Sequence, residues 1–458
     1  MIEPPLWLIV IPLGAVVPVY LLRHRQLGAY LAAFASLFVG ILAVVLPPTN
    51  AVRLAGRIFL LDPLTQYVLA TYFVVSALLY VAGQPLRPGR YFLPLGLCIS
   101  GLFAIAVMSR HLAISGLMMT LAAIAAVPII QGELSGSVRG SWRFLVVMCL
   151  ALPCFLLAAW HIDVYREDAE HAVYLPQAAV LLAIGFSLWL AALPAYSALT
   201  SFSTSSPPVS SALVLIGFPM MGLTLLGHVL AEASWFSWWS QTGRMLLVVG
   251  LVSVTLGGVL TFVQRSLRVM LGYAALYDLG CLLIALAVQG AQGAAALYAG
   301  LATRALGLAL LGIATATLLA ETKGDALSGL CGVGRRRPLA VIALGMGSFT
   351  LVGAPLAAGF AGRWLMLRNL AQMDERWMWL VLLAGLGVAF AYLRALYVLL
   401  RADAITSRTS RAESASSLWL PTSVLLLLSL ATIALGIFPN PILRVAALVV
   451  TLYPLPRL

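Results

Sequence analysis

The chain has 458 residues, of which 62% are hydrophobic and 9% charged, with a mean hydropathy of +1.04. A water-soluble domain carries about 25% charged residues to coat its surface, so these charges are too few and the solvent is lipid. The net charge of +12 does not indicate a nucleic-acid partner, because the basic residues sit in short loops between apolar runs.

A spanning helix needs about 20 apolar residues. Along the chain that rule predicts roughly 14 spans, at residues 4–22, 27–47, 63–83, 91–108, 112–131, 143–160, 175–200, 209–231, 244–264, 268–288, 293–320, 338–360, 377–400 and 418–438. The expected fold is an all-α polytopic membrane protein with one membrane domain over residues 1–458. The longest polar loops lie near 161–174, 321–337 and 401–417. The chain opens Met-Ile-Glu-Pro-Pro and turns apolar without a charged region or a small-residue cleavage site. It is therefore read as beginning with a first span rather than a removed signal.

Lysine and arginine predict the orientation. Loops after odd-numbered spans hold Arg23, Arg25, Arg87, Arg90, Arg139, Arg143, Arg265, Arg268, Lys323, Arg335, Arg336, Arg337, Arg401, Arg408 and Arg411. The other side holds about nine basic residues, diluted by the acidic loop Asp163–Glu170 and by Asp374 and Glu375. The richer loops are expected in the cytoplasm, with both termini on the external side of a bacterial-type inner membrane.

Two predicted spans are interrupted. The seventh contains Pro194 and runs into Ser-Phe-Ser-Thr-Ser-Ser-Pro-Pro at 201–208, and the twelfth carries Gly353-Ala-Pro355 to Gly359. Proline removes a backbone donor and clashes with the preceding turn. Broken backbone survives in a membrane only where protein or a wet cavity covers it. Simple kinks are one explanation. Matched breaks in two inverted repeats, as in transporters, are the other.

Several short motifs, in order over nearly the whole chain, resemble one family. Leu-Asp-Pro-Leu-Thr (61–65) opens the third span, and Leu193-Pro194 precedes Pro207-Pro208-Val209-Ser210-Ser211-Ala212. Arg268-Val-Met-Leu-Gly-Tyr273 is followed by Leu279-Gly280, and a Gly-x-Gly-Arg-Arg-Arg-Pro stretch lies within 330–339. Gly353-Ala-Pro355-Leu-Ala-Ala-Gly359-Phe360 and Leu435-Gly436-Ile437-Phe438-Pro439 complete the set. Together they are similar to the antiporter-like, proton-conducting membrane subunits of complex I. That family also includes subunits of membrane-bound hydrogenases, multisubunit Na⁺/H⁺ antiporters and proton-coupled inorganic-carbon uptake systems. The resemblance implies two inverted five-helix repeats, with helices 7 and 12 broken, and partners that are other membrane subunits.

It also implies a chain of titratable groups. Lysine suits such a path because desolvation swings its protonation, whereas arginine stays charged. The family pattern has a glutamate in the fifth span, lysines in the seventh and eleventh, a histidine or lysine in the eighth, and a lysine or glutamate in the twelfth. These positions fall here on Thr120, Trp189, Leu308, Val214 and Arg363, and a further histidine position in the eleventh span falls on Arg304. Lys323, the chain's single lysine, lies in a loop.

Ionisable residues at membrane depth are Asp278, Arg304, Arg363, Arg394 and His228. A charge there costs about 2.5–3.5 kcal/mol on insertion scales, so each needs a reason. Asp278 lies about 15 Å along its helix from Arg268 and could face Arg304 on the next helix. The two could form a fixed ion pair, or Asp278 could be a proton acceptor tuned by Arg304, or the side chains could snorkel to the lipid edge. Arg363 reads as an anchor or salt-bridge partner, Arg394 as a snorkelling or structurally paired residue, and His228 as a helix-end residue near water. Asp278, Arg304 and Arg363 are the candidates for a rerouted proton path.

The five cysteines form no CxxC pair, and the aromatic cluster Trp235, Phe236, Trp238 and Trp239 suits a membrane interface or, less simply, a quinone site. No nucleotide, zinc or nucleophile motif appears, so no catalytic site, metal or cofactor is expected in this chain. Two functions remain in view: a proton-translocating subunit with an altered path, and a membrane scaffold that keeps the fold without conduction. A stand-alone transporter is a third. The loss of charge at Thr120, Trp189, Val214 and Leu308 favours the scaffold.

Overall fold

The structure, a computed structural model, describes residues 3–48, 51–54, 56–86, 88–132, 138–167, 174–192, 194–232, 241–288, 290–322, 324–401 and 418–452. Leu193, Lys323, Arg87, Arg408, Arg411 and the aromatic cluster at 235–239 lie outside the described residues.

The first part of the chain forms α1 (Trp7–Leu21), α2 (Gln26–Val45), α3 (Pro63–Gly83), α4 (Phe92–Met108), α5 (Leu112–Gln131) and α6 (Arg139–Glu167). Next come α7 (Tyr174–Trp189), the short α8 (Ser197–Ser201), α9 (Pro208–Glu232), α10 (Gln241–Val263), α11 (Leu267–Ala287) and α12 (Ala291–Leu319). The remainder forms α13 (Val333–Arg336), α14 (Pro338–Val352), α15 (Phe360–Met373), α16 (Glu375–Leu400), α17 (Trp419–Ile437) and α18 (Asn440–Leu452). Among the described residues, 11 helices are long and apolar enough to cross a membrane, and α4, α7, α14 and α18 are shorter apolar helices. The expected helical, polytopic architecture is present.

The local chemistry explains the element ends. Asp62 caps α3 by accepting the Thr65 amide at 2.7 Å, and Pro63 occupies the first helical position, where no donor is needed. The apolar windows of α9, α12 and α11 are 100%, 94% and 89% buried, against 28% for the first helix and 33% for α6. The first three therefore form the centre and the others the lipid-facing ring. Phe34, Val44, Val146, Leu383 and Phe390 lie exposed on that ring, as large apolar side chains do where the solvent is lipid.

Three features differ from expectation. A two-stranded antiparallel hairpin, β1 (Ala51–Leu54) and β2 (Arg57–Leu60), joins α2 to α3, with Ala51 opposite Leu60. The broken twelfth span does not stop at residue 360 but continues as α15, whose Arg363, Arg368 and Asn369 make it too polar for an apolar count. It is tolerated because it packs on α12 and α16. Finally, α18 follows the last predicted span and packs against α12 and α3.

Candidate functional site

Two helices end abruptly inside the bundle. At the end of α7 the Ala191 amide donates to the Leu188 carbonyl and the Ala192 amide to the Ser187 carbonyl, both at 3.0 Å. This is the paired closure that ends a helix on a left-handed residue. Ala191 supplies that residue at φ 42°, where glycine is usual. At the end of α14 the Gly353 and Ala354 amides both donate to the Phe349 carbonyl at 2.9 Å, with Gly353 at φ 80°. Leu356, at φ 68°, lies between α14 and α15. Among the described residues, Ala191 and Leu356 are the two non-glycines with positive φ, one in each break. Such a conformation costs roughly 1–2 kcal/mol for a residue with a Cβ.

Around the second break, Asp278, Arg304 and Arg363 come together. Arg304 Nη1 donates to Asp278 Oδ2 at 2.8 Å and to the Ala275 carbonyl at 2.9 Å. Its Nη2 donates to the Leu215 carbonyl on α9 at 3.0 Å. That carbonyl would ordinarily accept from the amide four residues on, but Pro219 has none. Arg304 therefore supplies the hydrogen bond that the proline removes. Arg363 Nη2 donates to Asp278 Oδ1 at 2.6 Å and to the Leu351 carbonyl at 2.5 Å. Leu351 lies in the last turn of α14, where carbonyls have no partner within the helix.

The triad is buried: Asp278 is 3% exposed and Arg304 1%, and the Arg363 side chain is 9% exposed. Two guanidiniums and one carboxylate leave a formal charge of +1. The Tyr277 ring lies 5.5 Å from the Arg363 guanidinium and faces part of that charge. A cavity of about 10 Å³ beside Cys281 and Arg363 is at the lower limit for a single water molecule. A Cβ on Gly353 would lie 2.5 Å from Arg363 Cβ, so the glycine meets both the φ and the close approach.

The remaining sequence-derived positions are apolar or internally satisfied. Thr120 donates its hydroxyl to the Gly116 carbonyl of its own helix at 2.9 Å. Trp189, Val214 and Leu308 are buried, at 0%, 2% and 0% exposure. Trp189 stacks on Phe155 with ring centroids 3.8 Å apart, and its indole N–H has no partner among the described residues. Arg394 donates to the Gln264 carbonyl just past the end of α10, which caps that helix.

A second polar cluster, at the end of the bundle where α3 begins, was not foreseen as a unit. Arg110 bonds Asp62 Oδ2 at 2.8 Å and Glu232 Oε1 at 2.5 Å, and His228 Nε2 approaches Asp62 Oδ2 at 3.1 Å. His228 stands near the helix end as expected, but it is 5% exposed and set against the Asp62 carboxylate rather than open to water. Burial alone would raise the Asp62 carboxyl, but His228, Arg110 and Thr65 hold it well below the usual carboxylate range. A cavity of about 250 Å³, lined by Arg110, His111, Asp163, His228 and Glu232, adjoins the cluster. The Leu-Asp-Pro motif pointed to Asp62. Nothing local in the sequence joined it to Arg110 and Glu232. Among the described residues no group of three His, Cys, Asp or Glu side chains is placed to hold a metal ion.

Comparison with known proteins places this geometry. The family model for the membrane part of NADH:quinone oxidoreductase and Mrp antiporter subunits matches residues 178–389, which include both breaks and the triad. NADH-quinone oxidoreductase subunit N 2 of Solidesulfovibrio magneticus is 25% identical over 97% of each chain. Over residues 178–389 the chain matches the antiporter-like membrane subunit family, and over nearly its whole length it is similar to members of it. The fold likeness extends over the full length. A chain of respiratory complex I from Thermus thermophilus superposes with a TM-score of 0.80 at 18% identity, covering 98% of this chain and 100% of that one. A chain of the Mrp complex from a Dietzia species gives 0.82 at 14% identity, covering 99% and 98%. At these identities the two structures speak to the fold alone.

Proposed function

We propose that this chain is a membrane subunit of a complex I-related, proton-translocating assembly, and that it acts mainly as a structural member of it. Its partners would be other membrane subunits, and any catalysis would belong to them. In the same reading the two breaks are matched elements of inverted repeats, and both termini face the external side of a bacterial-type inner membrane.

One observation carries the proposal: Asp278, 3% exposed and midway along α11, has an arginine on each oxygen, and neither arginine can give up its proton. A relay group must exchange its proton repeatedly, and doing so here would require both ion pairs to part inside a tightly packed interior. The supporting observation lies in the other half. Where the family resemblance implies a mobile lysine, Trp189 is fully buried and stacked on Phe155. Both arginines also have an architectural task, satisfying the carbonyls of Leu215 and Leu351.

A second reading keeps conduction and routes it through Asp278, Arg304 and Arg363, or places the chain in an inorganic-carbon uptake or cation/proton antiporter complex. The observation in its favour is that the three residues form one contiguous cluster at a helix break, where transport sites occur in other folds. Proton flux in proteoliposomes holding the whole assembly separates the readings. With the structural role, Asp278→Asn leaves the flux of assembled complexes at the wild-type level. A fall in flux from complexes that are still assembled would establish the rerouted path instead.

A further inference from the structure

The space between α7 and α10 is not closed by side chains. A cavity of about 810 Å³ runs along it, with Leu226 of α9 and Leu283 of α11 as its floor. Its walls include Ile184 of α7 and Val248 of α10, exposed by 47% and 53%. The volume falls within the range of about 300–1,000 Å³ typical of ligand sites. A groove with these walls in a lipid-facing position takes an apolar chain.

One end of the groove is different. Arg244, in the first turn of α10, lines it and is exposed, and Thr242 lies two residues earlier in the same turn. Arg244 has no ion pair or hydrogen bond among the described residues. The N-terminal end of the α10 dipole adds positive potential there. From Arg244 to Val249 the wall descends by about 8 Å along α10, from the helix end toward mid-span. A single cation at the mouth and a predominantly apolar interior below it form the complement of an anionic headgroup joined to an acyl chain.

We propose that this groove is a binding site for one phospholipid, with its phosphate on Arg244 and one acyl chain between α7 and α10. An uncharged isoprenoid or a transmembrane helix of a partner would fill the apolar part but leave Arg244 without an anion. The site would also seal the flank of the bundle exposed where α7 stops at Trp189.

The test uses the assembly containing the full chain, purified in mild detergent, with phosphatidylglycerol titrated and bound lipid counted by native mass spectrometry. Arg244→Ala, Arg244→Lys and Val248→Trp are compared with wild type, and diacylglycerol serves as the uncharged probe. The site predicts one phosphatidylglycerol whose affinity falls about fivefold in Arg244→Ala, is kept in Arg244→Lys, and is lost in Val248→Trp. Diacylglycerol should bind more weakly and be indifferent to Arg244. Equal lipid counts and affinities in wild type and Arg244→Ala would overturn the proposal. So would a protein helix seen in the groove by electron microscopy of the assembly. If Val248→Trp fails to assemble, the alanine and lysine variants still decide the matter.

Discussion

The two broken helices meet the same physical demand in different ways. A helix that stops inside a membrane leaves carbonyls without donors, and those must be satisfied internally. In the second half, guanidinium groups do this: Arg363 serves the end of α14, Arg304 serves the gap opened by Pro219, and Asp278 balances them. At the first break, among the described residues, no charge is used. The backbone closes on itself through Ala191 and Ala192, and Trp189 fills the remaining space against Phe155. Buried charge at the second break therefore follows from the backbone's unmet hydrogen bonds, which is reason enough for it without transport.

The comparison can be broken most forcefully at Asp278. Asp278→Asn leaves two buried guanidiniums without their anion and should cost about 3–5 kcal/mol, read as a lower thermal midpoint of the purified assembly. Pairing the change with Arg304→Gln leaves Arg363 alone, so the cluster returns to its original +1 and part of the loss should be recovered. A double variant no better than the sum of the single ones would show that charge balance is not what holds the triad. In the first half, Trp189→Ala should cost about 3 kcal/mol, at the low end for a large aromatic. The loss is moderated because the indole N–H it removes is buried without a partner among the described residues.

Smaller effects sharpen the contrast. A Cβ at Gly436 would meet the Leu356 carbonyl at 2.2 Å, so Gly436→Ala should disturb the second break. A cost of about 2 kcal/mol is expected, with no change in the packing of Trp189 by its fluorescence. Ala191→Gly relieves a left-handed alanine and should stabilise the first break by at most about 1 kcal/mol. The same change at Gly353 in reverse, Gly353→Ala, should destabilise, since that glycine is also pressed against Arg363.

Much of this was legible before the structure. Long apolar runs located the spans, and Pro194 and Gly353-Ala-Pro355 located the breaks, because composition and backbone chemistry are local properties. Asp278 and Arg304 were within reach of each other by helix arithmetic. Arg363 was not, because it meets Asp278 only after the chain has broken and turned back, and no periodicity connects residues so far apart. The Pro219 signal was present and unused: a proline within a buried helix frees a carbonyl, and the nearby Arg304 was a donor in need of one. The hairpin at 51–60 was too short to register, and α15 was hidden by its own polar residues. The Arg110–Asp62–His228 cluster rests on contacts among α3, α9 and the residue after α4, which only the packed bundle brings together.

The most direct test of the central claim is proton flux through the assembled complex in proteoliposomes, with the Asp278→Asn/Arg304→Gln double variant set against wild type. Because the pair change preserves the charge of the cluster, assembly should survive and flux can be compared per complex. The structural account predicts equal flux. A clear loss of flux in complexes of normal composition would contradict it and would make the buried triad part of the route by which protons cross.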